Sequence, residues 1–110
     1  MKDFYKEILM KFVELKDAKQ KKLQATFEAG DWKNYTVYVH ALKSTAMSIG
    51  DTKTSAAAKD LEKAGKILTS ATSSELDKHV NEEFIKKNHA AAMRLYDALA
   101  AEAKRIGDTL

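Results

Sequence analysis

Cysteine and proline are absent from this 110-residue sequence, and only four glycines are present. Without cysteine the chain has no disulfide framework and no thiolate metal site, which fits a reducing compartment. Sheets and sandwiches need frequent turn residues, so the scarcity of glycine and proline favours an all-α fold. All four glycines lie near predicted helix ends, at Gly30, Gly50, Gly65 and Gly107.

Long apolar runs are also absent. No stretch approaches the ~18 consecutive apolar residues of a membrane-spanning helix, and the charged, amphipathic N-terminus lacks the apolar core of a signal peptide. We therefore expect a cytoplasmic protein with no membrane partner. The 19 Lys and Arg residues are interspersed with 16 Asp and Glu, for a net charge of +3. Because nucleic-acid binding needs a concentrated basic face, this mixed distribution predicts no nucleic-acid partner.

Apolar residues at three- and four-residue spacing predict helices in the N-terminal part of the chain. A short helix is expected over residues 3–15 and a second helix over 18–29. Asp17 is a potential N-cap with Gln20 as its capping-box partner, so we expect a break near Lys16. A continuous helix is the alternative.

Three further segments follow the second predicted helix. The third helix is expected over residues 32–49 and the fourth over 54–68, followed by a polar loop over 69–74. A capping box that starts at Ser74 opens the last helix, which ends in a frayed tail over 107–110.

The length and composition predict one domain that spans residues 1–110. An apolar fraction of 45% is ordinary for a globular protein. Four helices of comparable length with short connections are typical of an antiparallel bundle. We therefore predict an all-α, antiparallel four-helix bundle with an additional short N-terminal helix.

The third predicted helix carries a histidine on the side opposite its apolar stripe. The stripe follows the 3.6-residue period and consists of Trp32, Tyr35, Tyr38, Val39, Leu42, Ala46 and Ile49. On the other side lies His40, followed by Lys43 and Ser44, and Gly50 ends the helix. This order resembles the signature of histidine-containing phosphotransfer domains, in which His is followed by any residue, Leu, Lys and a small residue, and by Gly ten positions after the His. Ser44 stands where that family most often has Gly.

The resemblance implies a phosphorelay intermediate in two-component signalling. In such a protein, Nε2 of His40 attacks an aspartyl phosphate on the receiver domain of a response regulator or hybrid sensor kinase, and later passes the phosphoryl group to a second receiver. Lys43 offsets the phosphoryl charge, and Ser44 leaves room for the group and offers a hydroxyl hydrogen bond. The chain is then a phosphoryl carrier and not an enzyme. It needs no nucleotide site, metal or cofactor of its own, since Mg²⁺ belongs to the partner receiver, and we expect it to act as a monomer.

Supporting roles are expected for two further residues. Gly50 ends the helix and would let the following chain pack close by. Glu62 lies on the neighbouring helix, where the family often has Glu or Gln, and two interpretations are open: an acceptor that orients the imidazole, or a solvated charge paired with Lys59 or Lys66. Small and apolar neighbours of His40 on its outward face are expected to form the docking surface for the partner: Thr36, Val37 and Met47.

Two other functions remain open. A non-catalytic helical adaptor would carry His40 incidentally, and a nucleic-acid-binding bundle would use the lysines of the second predicted helix. The other two histidines, His79 and His89, lack a lysine three residues later, and we interpret both as residues on a helix flank. Their spacing of ten residues does not place them on one face as a metal pair, so no metal site is expected.

Overall fold

The computed structural model describes residues 2–110 of the chain, and it describes side chains from residue 4 onward. The chain folds into four helices: α1 (Lys2–Ala29), α2 (Trp32–Ser48), α3 (Thr52–Thr69) and α4 (Glu75–Thr109). Each helix packs against the next one, and α4 packs against α1, which closes the ring. Because the connections are short, successive helices run in opposite directions. The predicted all-α, antiparallel four-helix bundle is therefore confirmed.

One apolar core fills the centre of this ring. The apolar stripe predicted for the third helix faces it, with Tyr35 and Val39 fully buried and Leu42 nearly so. Helix α1 contributes Leu9 and Leu23, each about 1% exposed. By contrast, Phe4 at the start of α1 is 65% exposed, although its spacing predicts the same stripe as Phe12.

Helix α1 is continuous over Lys2–Ala29, so the structure has no separate short N-terminal helix and no break near Lys16. Two residues at the expected break, Lys16 and Gln20, make contacts with α4 instead. The Lys16 ammonium lies 2.5 Å from Asp97 Oδ1, and Gln20 Nε2 donates to the same oxygen at 3.0 Å. Because 2–29 contains no glycine or proline, nothing in the backbone forces a break there.

The first two turns between helices each contain one glycine and one aspartate, Gly30 with Asp31 and Gly50 with Asp51. Gly30 and Gly50 have φ values of +66° and +90°, in the left-handed region that side chains disfavour. Asp31 caps α2, since its carboxylate accepts from the backbone N–H of Asn34. Asp51 caps α3 in the same way, which explains why α3 begins two residues earlier than the predicted 54.

The last helix extends further toward the C-terminus than its sequence predicts. The Ser74 hydroxyl accepts from the backbone N–H of Asp77 at 3.0 Å and opens α4, as expected. The helix then continues unbroken for 35 residues to Thr109, so the tail is not frayed. Gly107 is buried against α1, where a Cβ would lie 2.6 Å from Met10 Sδ. In the part of the chain that the structure describes, no helix is both long and apolar enough to cross a membrane.

Candidate functional site

His40 lies in the middle of α2, on the side that faces away from the core. Its side chain is 57% exposed. Two apolar side chains on the same side of α2 are also exposed, Val37 at 58% and Met47 at 59%. The histidine therefore lies on an accessible surface that includes apolar area.

Close packing between α2 and α3 brings a residue of α3 next to His40. Gly65 makes this possible, because a Cβ at that position would overlap the Thr36 hydroxyl oxygen. Further along the same pair of helices, the buried Ser55 hydroxyl donates to the backbone carbonyl of Lys43 at 3.2 Å. A side chain at position 65 would therefore prevent α2 and α3 from approaching this closely.

The residue brought to His40 is Glu62. Its Oε2 is in hydrogen-bond contact with His40 Nδ1, and its Oε1 accepts from the Lys43 ammonium at 2.6 Å. The Lys66 ammonium lies 3.7 Å from Oε2. Only 5% of the Glu62 side chain is exposed, so the carboxylate is a buried group that contacts two or three partners at the edge of the site.

The environment of Glu62 favours the ionised carboxylate. Burial acts to raise its pKa, but the hydrogen bonds from Lys43 and His40, together with their charges, outweigh burial and hold the pKa below its usual value. A carboxylate that is ionised can only accept hydrogen bonds. A neutral His40 ring must then donate through Nδ1, and in that tautomer the lone pair is on Nε2.

This arrangement matches one of the two interpretations of Glu62. The carboxylate contacts the imidazole, as the orienting role requires. It is not the solvated charge of the other interpretation, since it is buried, although Lys66 is nearby. Sequence spacing could not decide between the two, because the contact depends on how closely α2 and α3 approach.

The other candidate residues occupy different environments. Lys43 is half-buried, and its ammonium is bound to Glu62 rather than free in solution. Ser44 is exposed, one helical turn beyond His40. Thr36 is only partly exposed, because it packs against Gly65 and its hydroxyl donates to the Trp32 carbonyl at 2.6 Å. It therefore offers less docking surface than Val37 or Met47.

Gly50 ends α2, as expected, but it does not serve the close packing that was also expected of it. A Cβ at this position would meet no atom within 4 Å, so close packing does not require glycine here. Glycine is required here by the φ of +90°, because this conformation ends α2 and turns the chain into α3.

The interpretation of His89 as a flank residue is wrong. His89 is 3% exposed and lies in the core, stacked on the Phe27 ring with a centroid distance of 4.0 Å. Its Nε2 lies 2.9 Å from Gln24 Oε1 and its Nδ1 lies 2.8 Å from the Tyr35 hydroxyl. Burial lowers the pKa of His89 to about 4, so the ring is neutral at pH 7.

A sequence signal for this burial exists. His89 is spaced four residues after Ile85 and three before Ala92, which are both buried. It thus continues the inward stripe of α4 at helical period. His79, by contrast, is exposed as expected.

Among the side chains that the structure describes, from residue 4 onward, no group of three or more His, Cys, Asp or Glu is arranged to hold a metal ion. No protein-family model, no curated protein and no solved structure matches this chain.

Proposed function

We propose that this chain is a histidine phosphotransfer protein, which carries a phosphoryl group on Nε2 of His40 between the aspartates of receiver domains. The observation that carries the proposal is the contact of the exposed His40 ring with the buried Glu62 carboxylate. Because Glu62 accepts a hydrogen bond from Nδ1–H, the nucleophilic lone pair of the neutral ring resides on Nε2. A partner can approach that nitrogen, since more than half of the side chain is exposed.

Lys43 is suited to stabilise the charge that a phosphoryl group would add. Its ammonium already lies within the site, 2.6 Å from Glu62 Oε1, and its flexible stem lets it donate to a phosphoryl oxygen as well. One charge-assisted hydrogen bond of this kind contributes about 1.5–3 kcal/mol. Ser44 has a small side chain on the same exposed face and leaves space for the phosphoryl group.

The partner supplies the rest of the chemistry in this proposal. Phosphoryl transfer depends mainly on positioning and on neutralising negative charge, and a receiver domain brings the acyl phosphate, its Mg²⁺ and its acidic cluster. This chain contributes the nucleophile, one cation and a docking surface. Val37 and Met47 supply the apolar part of that surface, since both are exposed beside His40.

The test is to mix the protein with a receiver domain that carries an aspartyl phosphate. We expect acid-labile, base-stable phosphate on the wild type and none on His40→Gln. His79→Gln serves as the matched control, because it removes another exposed imidazole without touching the site. Equal labelling of wild type and His40→Gln would refute the proposal. A wild type that stays unlabelled by every receiver tested, yet binds them, would favour the adaptor function.

A further inference from the structure

The two oxygens of Glu62 make different contacts. Oε2 contacts His40 Nδ1, and Oε1 accepts from the Lys43 ammonium at 2.6 Å. The carboxylate reaches the ring from the bundle side, since it is 5% exposed while His40 is 57% exposed. A phosphoryl group on Nε2 would therefore lie on the opposite edge of the ring from Glu62.

The proton on Nδ1 determines what leaves when the phosphoryl group is passed on. In the loading step, the Nε2 lone pair forms the N–P bond, and the P–O bond of the acyl phosphate breaks with its electron pair on the carboxylate oxygen. The ring then carries a positive charge and keeps its proton on Nδ1. In the unloading step, the N–P electron pair returns to Nε2, and a neutral imidazole leaves. If Nδ1 had lost its proton, the leaving group would be imidazolate, a far more basic anion.

The charged groups that contact this pair come from α2 and α3. Lys43 and Lys66 are cations, and each disfavours the positive charge of a ring that is protonated at Nδ1. Glu62 is the anion that opposes them. When a phosphoryl group attracts the Lys43 ammonium, less of the Glu62 charge is neutralised by lysine, and more of it acts on the Nδ1 proton.

We infer that Glu62 keeps phosphorylated His40 protonated at Nδ1 through neutral and mildly alkaline pH, and so keeps its phosphoryl group transferable. This inference rests on the proposed function, because it concerns the same site. It makes Glu62 a positioning residue that acts through the ring. It predicts that Glu62 governs unloading at alkaline pH, where an unsupported ring would lose its proton.

A spectroscopic test needs no receiver domain. The protein is prepared in a His79→Gln background, so that His40 is the exposed imidazole, and is phosphorylated chemically with phosphoramidate. The Nδ1 proton is then followed by ¹H–¹⁵N NMR as the pH rises. We expect Glu62→Gln to lose this proton about one to three pH units below the protein that retains Glu62, which is the usual effect of removing an adjacent opposite charge.

A kinetic test uses the same preparations and a receiver domain. At pH 8.5 we expect Glu62→Gln to unload about tenfold more slowly than the protein with Glu62. At pH 6 the two rates converge, because the ring is protonated in both. A merely structural defect would slow unloading at every pH. Glu102→Gln is the matched control, since it removes an exposed carboxylate that is paired with Arg105 on α4.

Two results would overturn the inference: parallel pH–rate profiles for the two proteins, or loss of the Nδ1 proton at the same pH. If Glu62→Gln does not fold, the NMR titration of the protein with Glu62 decides alone, because loss of its Nδ1 proton below pH 7 contradicts the inference. Failure of the proposed function is a separate outcome. In that case chemical phosphorylation and the Nδ1 proton are observed, but no receiver exchanges phosphate with His40.

Discussion

The buried His89 predicts an acid-sensitive stability with a defined pH range. Burial lowers its pKa to about 4 in the folded protein, whereas an unfolded chain has the ordinary value near ~6.5. As the pH falls, the unfolded state therefore takes up the proton first, and the free energy of unfolding decreases between these two values. Linkage gives a loss of about 2 kcal/mol between pH 7 and pH 5, and about 3 kcal/mol once the pH is below 4.

The geometry explains why protonation is costly at this position. The neutral ring donates from Nε2 to Gln24 Oε1 and accepts at Nδ1 from the Tyr35 hydroxyl. A protonated ring has two donors and no acceptor, so the Tyr35 O–H would have to turn away and lose its partner in the core. Stacking on Phe27 adds no compensating charge.

Urea unfolding followed by circular dichroism at pH 7, 6 and 5 measures the effect, with His89→Gln compared to the wild type. Glutamine removes the titration and keeps a donor and an acceptor, but it lacks the ring that stacks on Phe27, so the variant starts less stable at pH 7. On going to pH 5 it should lose about 2 kcal/mol less than the wild type does. His79→Gln should follow the wild type, since His79 is exposed. If wild type and His89→Gln lose the same free energy over this range, the stated role of His89 is refuted.

Three other predictions concern the site and the helix contacts. Lys43→Ala should slow phosphoryl transfer from a receiver about 10- to 100-fold while helix content stays constant; unchanged rates would remove its proposed role. Gly65→Val should lower the free energy of unfolding by about 1–3 kcal/mol in urea titrations, because it overlaps Thr36, and Thr36→Ala in the same chain should restore part of the loss. Asp51→Ala should cost about 1 kcal/mol by the same measurement through loss of the α3 cap, whereas an equal stability would mean that the cap contributes nothing.

Local sequence patterns were sufficient to predict the four-helix bundle. The period of the α2 stripe placed Tyr35, Val39 and Leu42 in the core, and the capping box at Ser74 marked the start of α4. These features act over three or four residues, so the sequence displays them directly.

Contacts between helices were harder to predict. A capping box at Asp17 and a break at Lys16 are locally reasonable, but the bond from Lys16 to Asp97 joins residues 81 positions apart. The same applies to Glu62, whose contact with His40 depends on the approach of two helices at Gly65. Local propensity says nothing about such partners, and tertiary contacts override it.

His40 and His89 differ in whether Nε2 has a hydrogen-bond partner, and that difference supports the proposed role of His40. Each ring is held through Nδ1, by Tyr35 in one case and by Glu62 in the other. His89 also uses Nε2 and is buried, so its lone pairs and protons are fully engaged. Among the residues that the structure describes, Nε2 of His40 has no protein partner, and the ring is exposed. Burying the Glu62 carboxylate is costly unless it is paired, and its pairing here orients one ring outward. An adaptor surface would not need that arrangement, whereas a nucleophile that must present one nitrogen to an approaching phosphoryl group does.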